Sequence, residues 1–231
     1  MLKSTFDPQT LVQQFSAAST TQGEALRKAV GEATLKALQG RELTLKNIRE
    51  VIKGVTTAAS KGAAANTAPV IDVESMLTKA FAGMDAALLQ AVEANRRALA
   101  QLVEQGANLG EGQMKKALAD VEKMEDALFG TIEKAMQGVP APLQTAWSNV
   151  LEAGKAAGTG TGNKAAASVA QLTEQARLSL RDGRALGLKT AQAMLDSYSA
   201  LVSGVLIGMS EGMQGKAPAE AATKPRASRA R

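Results

Sequence analysis

The chain has 231 residues, with 27 Lys and Arg against 22 Asp and Glu, no His and no Cys. Those absences exclude thiolate nucleophiles, Ser-His-Asp triads, His bases, disulfides, and zinc, haem or iron–sulfur ligation by Cys or His. Aromatic residues make up 3% and alanine is abundant, a composition poor in sheet-building side chains and rich in helix formers.

The formal charge of +5 is unevenly placed. From Gly215 onward the sequence reads GKAPAEAATKPRASRAR, in which Lys216, Lys224, Arg226, Arg229 and Arg231 are opposed only by Glu220. That tail carries +4, leaving 22 cations against 21 anions, or +1, for residues 1–214. With two prolines and no large apolar residue it cannot offset the entropy of ordering, so 215–231 reads as a disordered basic tail. Such a tail favours polyanions, and without aromatic residues any contact with nucleic acid is weak, non-specific and phosphate-driven.

Taken in order, the body reads as one helix after another. Asp7-Pro8 pairs an N-cap acceptor with proline at the first helical position. Apolar residues then recur from Leu11 to Leu38, giving a helix over about 8–39 with a weaker patch at Ser19–Gly23. A second helix over about 43–65 places Leu45, Ile48, Ile52 and Val55 on one face.

The strongest pattern lies within a helix over 72–105. Leu77, Phe81, Met84, Leu88, Ala91, Asn95, Ala98 and Leu102 alternate spacings of four and three, a coiled-coil seam. Breakers at Gly106–Gly112 predict a reversal into a helix over 113–137, forming an antiparallel hairpin. After Val139-Pro140-Ala141-Pro142 comes a short helix over 142–154 holding Trp147. The run Gly158–Asn163, GTGTGN, reads as a flexible link before a last helix over 164–213. The architecture expected is all-α: an elongated antiparallel bundle with coiled-coil-like hairpins and a disordered tail.

Candidate sites are few. GTGTGN followed by Lys164 lacks the strand, the Gly-Lys pair and the Ser/Thr of a phosphate loop. Asp120, Glu122, Glu125 and Asp126 sit among lysines on a helix and read as a solvated, salt-bridged face. No catalytic residue, cofactor or metal ligand is nominated, and the expectation is a protein that is not an enzyme. Gly204, Gly208 and Gly212 form G-x-x-x-G-x-x-x-G, a groove against which another helix can pack closely. Each costs about 1 kcal/mol of helix propensity relative to alanine, so a packing role is expected.

The alanine-rich, almost aromatic-free set of long amphipathic helices and the tail KAPAEAATKPRASRAR together resemble the phasins. Those are helical proteins that coat bacterial polyhydroxyalkanoate granules, some ending in Lys/Ala/Pro-rich tails that touch the nucleoid. The resemblance implies a cytoplasmic, homo-oligomeric, surface-active scaffold without catalysis, meeting a hydrophobic granule or membrane surface. The glycine run and the well-formed heptads depart from it, since they suit fixed helix packing. Two alternatives differ in class: a nucleoid or polyanion-binding accessory protein acting through the tail, and a helical protein that inserts the apolar stretch Ser197–Met209 into a membrane. That stretch is short of the ~20 residues needed to span a bilayer. The N-terminus, MLKSTFDPQT, lacks the apolar core of a signal peptide.

Overall fold

A computed structural model describes residues 7–17, 23–39, 43–66, 72–105, 112–181, 198 and 200–210. Among the described residues eight helices are defined: α1 (Pro8–Ala17), α2 (Gly23–Leu38), α3 (Leu45–Ala65), α4 (Val73–Glu104), α5 (Gly112–Glu122), α6 (Met124–Met136), α7 (Ala141–Ala157) and α8 (Gly160–Arg181). Residues 200–210 form a further helical segment, and no strand occurs among the described residues. The all-α reading stands. The basic tail, 215–231, and Gly212 lie outside the described residues.

Local chemistry sets the helix starts. Asp7 accepts from the Gln9 amide (3.0 Å) and from the Thr10 hydroxyl (2.6 Å) at the head of α1. Thr44 accepts from the Asn47 amide before α3, and Asp72 from the Ser75 amide before α4. Each cap satisfies a backbone donor that the helix itself leaves unpaired.

α4 is the axis of the bundle, 32 residues and about 48 Å long. α3 and α6 run against it: Thr56 meets Met84, Asn66 meets Met76, and the Phe129 and Phe81 rings lie 5.7 Å apart. α7 and α8 run with it, Asn149 bonding Glu74, Lys164 pairing with Glu93 and Gln175 reaching Glu104. The antiparallel hairpin expected from 72–105 and 113–137 is therefore only part of the arrangement, and its second arm breaks into α5 and α6 at Lys123. Main contacts of α4 are with α2 and α8.

Other boundaries also differ from those read in the sequence. The expected helix over 8–39 is two helices: α1 packs on α3, whereas α2 packs on α4. The expected helix over 164–213 begins earlier, at Gly160, and its described parts lie side by side. A straight helix would carry Tyr198 about 35 Å beyond Gln175. Instead Gln175 bonds Glu104 while Tyr198 bonds Asn95, only about 13 Å apart along α4.

The seam residues Leu77, Met84, Leu88 and Leu102 are at most 1% exposed and Phe81 8%, so the heptad face is core. Trp147 is fully buried, with its indole N–H donating to Ser60 Oγ at 2.9 Å. A second apolar cluster, built on Leu99, Leu102, Val103, Ala117 and Leu172, closes the far end of α4. Tyr198 and Leu201 pack against both clusters.

Close helix crossings use glycine. A Cβ on Gly83 would lie 2.5 Å from the Arg27 carbonyl oxygen and 3.0 Å from the Gly31 amide. One on Gly62 would collide with Phe15 and Val12 of α1. These are the small-residue contacts that let α2 sit on α4 and α1 on α3.

Candidate functional site

Three polar groupings and one open helix face stand out from the apolar packing. The first is the start of α8. Gly158, with φ of +74°, turns the chain out of α7, and Thr159 caps α8 by accepting the Gly162 amide at 2.9 Å. Asp85 of α4 accepts from the Gly160 and Thr161 amides, both at 2.9 Å, while the Thr161 hydroxyl donates to the Asp85 carbonyl oxygen. Glu125 of α6 accepts from the Thr159 hydroxyl and lies against Gly162, where any Cβ would collide with its carboxylate.

GTGTGN is therefore no flexible link, which corrects the expectation. Thr159 and Thr161 are 3% and 0% exposed. The positive end of α8 is occupied by two carboxylates from its own chain, the chemistry by which helix N-termini otherwise hold phosphate. Glu125 likewise leaves the expected solvated face and turns inward. The sequence signal was a Thr N-cap within a glycine-rich helix start; nothing local could identify the acids that meet it.

The second grouping is a cation hub. Glu93 accepts from Arg96 (2.7 Å), Arg97 (2.9 Å) and Lys164 (3.0 Å), joining α4 to α8. Hydrogen bonding from Arg96, aided by Arg97 and Lys164, holds its carboxyl at about 2 against the opposing effect of burial.

The third lies between the two apolar clusters. Asn95, at a seam position and 2% exposed, donates to the Ala91 carbonyl oxygen at 2.8 Å and accepts from the Tyr198 hydroxyl. Burial pushes the Tyr198 phenol above its ordinary range, and the nearby Asp120 charge adds to this. Burial also raises the Asp120 carboxyl, partly countered by Lys116, Lys123 and Arg49. Asn95 is thus a satisfied core amide that ties the C-terminal segment to α4.

The open face belongs to that C-terminal segment. Val202 and Leu206 are buried against the bundle, while Ile207 is 39% exposed. A Cβ on Gly204 or Gly208 would meet nothing within 4 Å. Among the described residues these two glycines therefore contact no second helix. Beside them Val205, Gly208 and Met209 line a groove of about 590 Å³ whose opposite wall holds Arg96, Arg97, Ala100 and Gln101.

Among the described residues this is a helical bundle whose polar groups largely satisfy one another. No group of three or more acids able to hold a metal occurs among the described residues. No helix among them is long and apolar enough to cross a membrane. A family model covers residues 1–215, and the chain belongs to that family, DUF6781, a family of unknown function. No curated protein and no solved structure matches the chain.

Proposed function

We propose that this protein is a non-enzymatic helical scaffold that self-associates through the 200–210 face and, in the manner of phasins, lies on a hydrophobic granule or membrane surface in the cytoplasm. One observation carries the reading: no described residue lies within 4 Å of a Cβ built on Gly204 or Gly208, beside exposed Ile207. At Gly31, Gly83 and Gly62 the chain uses glycine for close helix contact. A helix from a second copy fits the same role at Gly204 and Gly208, where burial of Ile207 and close backbone approach would reward association. The other amphipathic stripes are occupied inside the bundle, Leu178 being the further exposed large apolar side chain among the described residues.

Light scattering over a concentration series tests the first half. The wild type should form a dimer or larger oligomer, and Gly208→Leu, which fills the groove, should shift it towards monomer. A wild type that stays monomeric at every concentration removes self-association. Flotation with polymer granules or liposomes tests the second half, and protein left wholly in the aqueous fraction removes it.

The tail supports a second activity. Its net +4 on residues 215–231 suits weak, non-specific contact with nucleic acid. Gel mobility unchanged by removing those residues would eliminate the tail as the contact.

A further inference from the structure

Among the described residues the ion pairs are unevenly distributed. Arg27, Lys28, Lys79, Arg96, Arg97, Lys155, Lys164 and Arg177, which lie on α2, α4, α7 and α8, each have a carboxylate within 4.0 Å. On α3, Lys46, Arg49, Lys53 and Lys61 are all exposed. None of these four has a carboxylate within that distance among the described residues. Exposed Lys115, Lys116 and Lys123, on and beside α5, likewise have none among the described residues, so the unpaired cations gather on α3 and around α5.

Helical geometry puts those four on one face. At 100° per residue Lys46, Arg49, Lys53 and Lys61 fall within an arc of about 120°, and they extend along about 22 Å of axis. Exposed Lys134 of α6 joins them across a groove of about 580 Å³ that also holds Glu50 and Asp126. Five cations face two exposed carboxylates, a net of +3. Asp120, half-buried, is the further acid that Arg49 influences. α1 lends the neighbouring groove only the uncharged Pro8, Gln9, Val12 and Gln13.

We propose that this face of α3 is a docking surface for the phosphate backbone of duplex nucleic acid, going beyond the scaffold reading and independent of the tail. A straight row of cations with no described carboxylate within 4.0 Å matches a regular line of phosphates, and each contact releases condensed counterions. The face carries no aromatic residue for base stacking, so recognition is by backbone and insensitive to sequence. An anionic membrane is the poorer match. Membrane-surface helices place large apolar side chains beside their cations, whereas Leu178 and Ile207, the exposed ones described, lie on other elements.

Fluorescence anisotropy of the full chain with a labelled duplex of about 20 base pairs, titrated at several salt concentrations, tests this. Each phosphate contact contributes about −0.9 to the slope of log affinity against log salt. The variant K46Q/R49Q/K53Q/K61Q should flatten the slope by about 3.6 and weaken binding at least tenfold at low salt. Asp126→Asn removes an anion from the face and should tighten binding severalfold, a gain that misfolding cannot mimic. Replacing the five tail cations by Gln should leave the part of the slope that the α3 variant removes. Overturning results are an α3 variant with the wild-type slope, Asp126→Asn without tighter binding, or all binding lost with the tail variant alone. An α3 variant that loses anionic vesicles while keeping the duplex would likewise transfer the face to lipid and overturn the proposal.

Discussion

Substituting Gly83 by Ala places a methyl group 2.5 Å from the Arg27 carbonyl oxygen, 2.9 Å from Val30 Cβ and 3.0 Å from the Gly31 amide. Two of these neighbours are backbone of α2 and cannot rotate away. Two effects oppose each other. Alanine in a helix interior gains about 1 kcal/mol over glycine, while overpacking a tight crossing costs about 1–3 kcal/mol. Because α2 must move bodily, the clash falls at the upper end of that range, about 2–3 kcal/mol, and a net loss of about 1–2 kcal/mol is expected. For a chain of this size that lowers the melting temperature by roughly 2–8 °C. Gly130→Ala is the control: nothing lies within 4 Å of its Cβ, so the helix gain should appear alone, as about 0.5–1 kcal/mol of added stability. Urea unfolding followed by the single, fully buried Trp147 reports both. A Gly83→Ala protein as stable as the wild type would refute the close crossing of α2 and α4.

Other substitutions test the buried polar contacts. Ser60→Ala leaves the Trp147 indole N–H without its acceptor and should cost about 1–3 kcal/mol, with a shift in Trp emission as a second readout. Tyr198→Phe deprives buried Asn95 of its donor; a loss of about 0.5–1.5 kcal/mol in thermal unfolding is expected. Asp85→Ala uncovers two amides at the head of α8 and should cost about 1–2 kcal/mol, seen as faster hydrogen exchange at Gly160 and Thr161.

Acid provides the remaining test. A carboxylate whose pKa is lowered by folding stabilises the native state above its unfolded value, 4.5 for Glu93, and ceases to as pH falls towards about 2. Wild-type stability should therefore decline through that window, by about 1–2 kcal/mol from Glu93 after allowing for solvent screening. Glu24, held at about 2 chiefly by Lys79 and then Arg27, declines in the same window. Glu93→Gln should flatten the curve without abolishing the decline, and an unchanged curve would count against the hub.

Patterns confined to one helix were legible in the sequence; choices between distant partners were not. The heptads of α4 identified a seam that is buried throughout, and Asp7 marked the start of α1 by cap chemistry alone. GTGTGN misled because glycine and threonine look mobile until a partner is known. Asp85 and Glu125 lie roughly 75 and 34 residues away, and no local rule pairs them with α8. The same limit applies to the glycines. Spacing singled out Gly204, Gly208 and Gly212, yet the occupied crossings are at Gly31, Gly62 and Gly83, where a neighbour's backbone decides. Net charge concealed the α3 face because pairing elsewhere cancels it only in the sum.

Self-association of the kind proposed requires the Gly204–Gly208 face to seat a second copy of the chain. With no native cysteine, a nitroxide can be placed through Ile207→Cys alone and distances between copies measured by pulsed dipolar spectroscopy. Packed helices have axes 8–10 Å apart, so an intermolecular distance below about 20 Å is expected at this position. A label at Leu178→Cys, outside the proposed contact, should give a longer and broader distribution. Absence of intermolecular coupling at position 207 in concentrated protein would contradict the account.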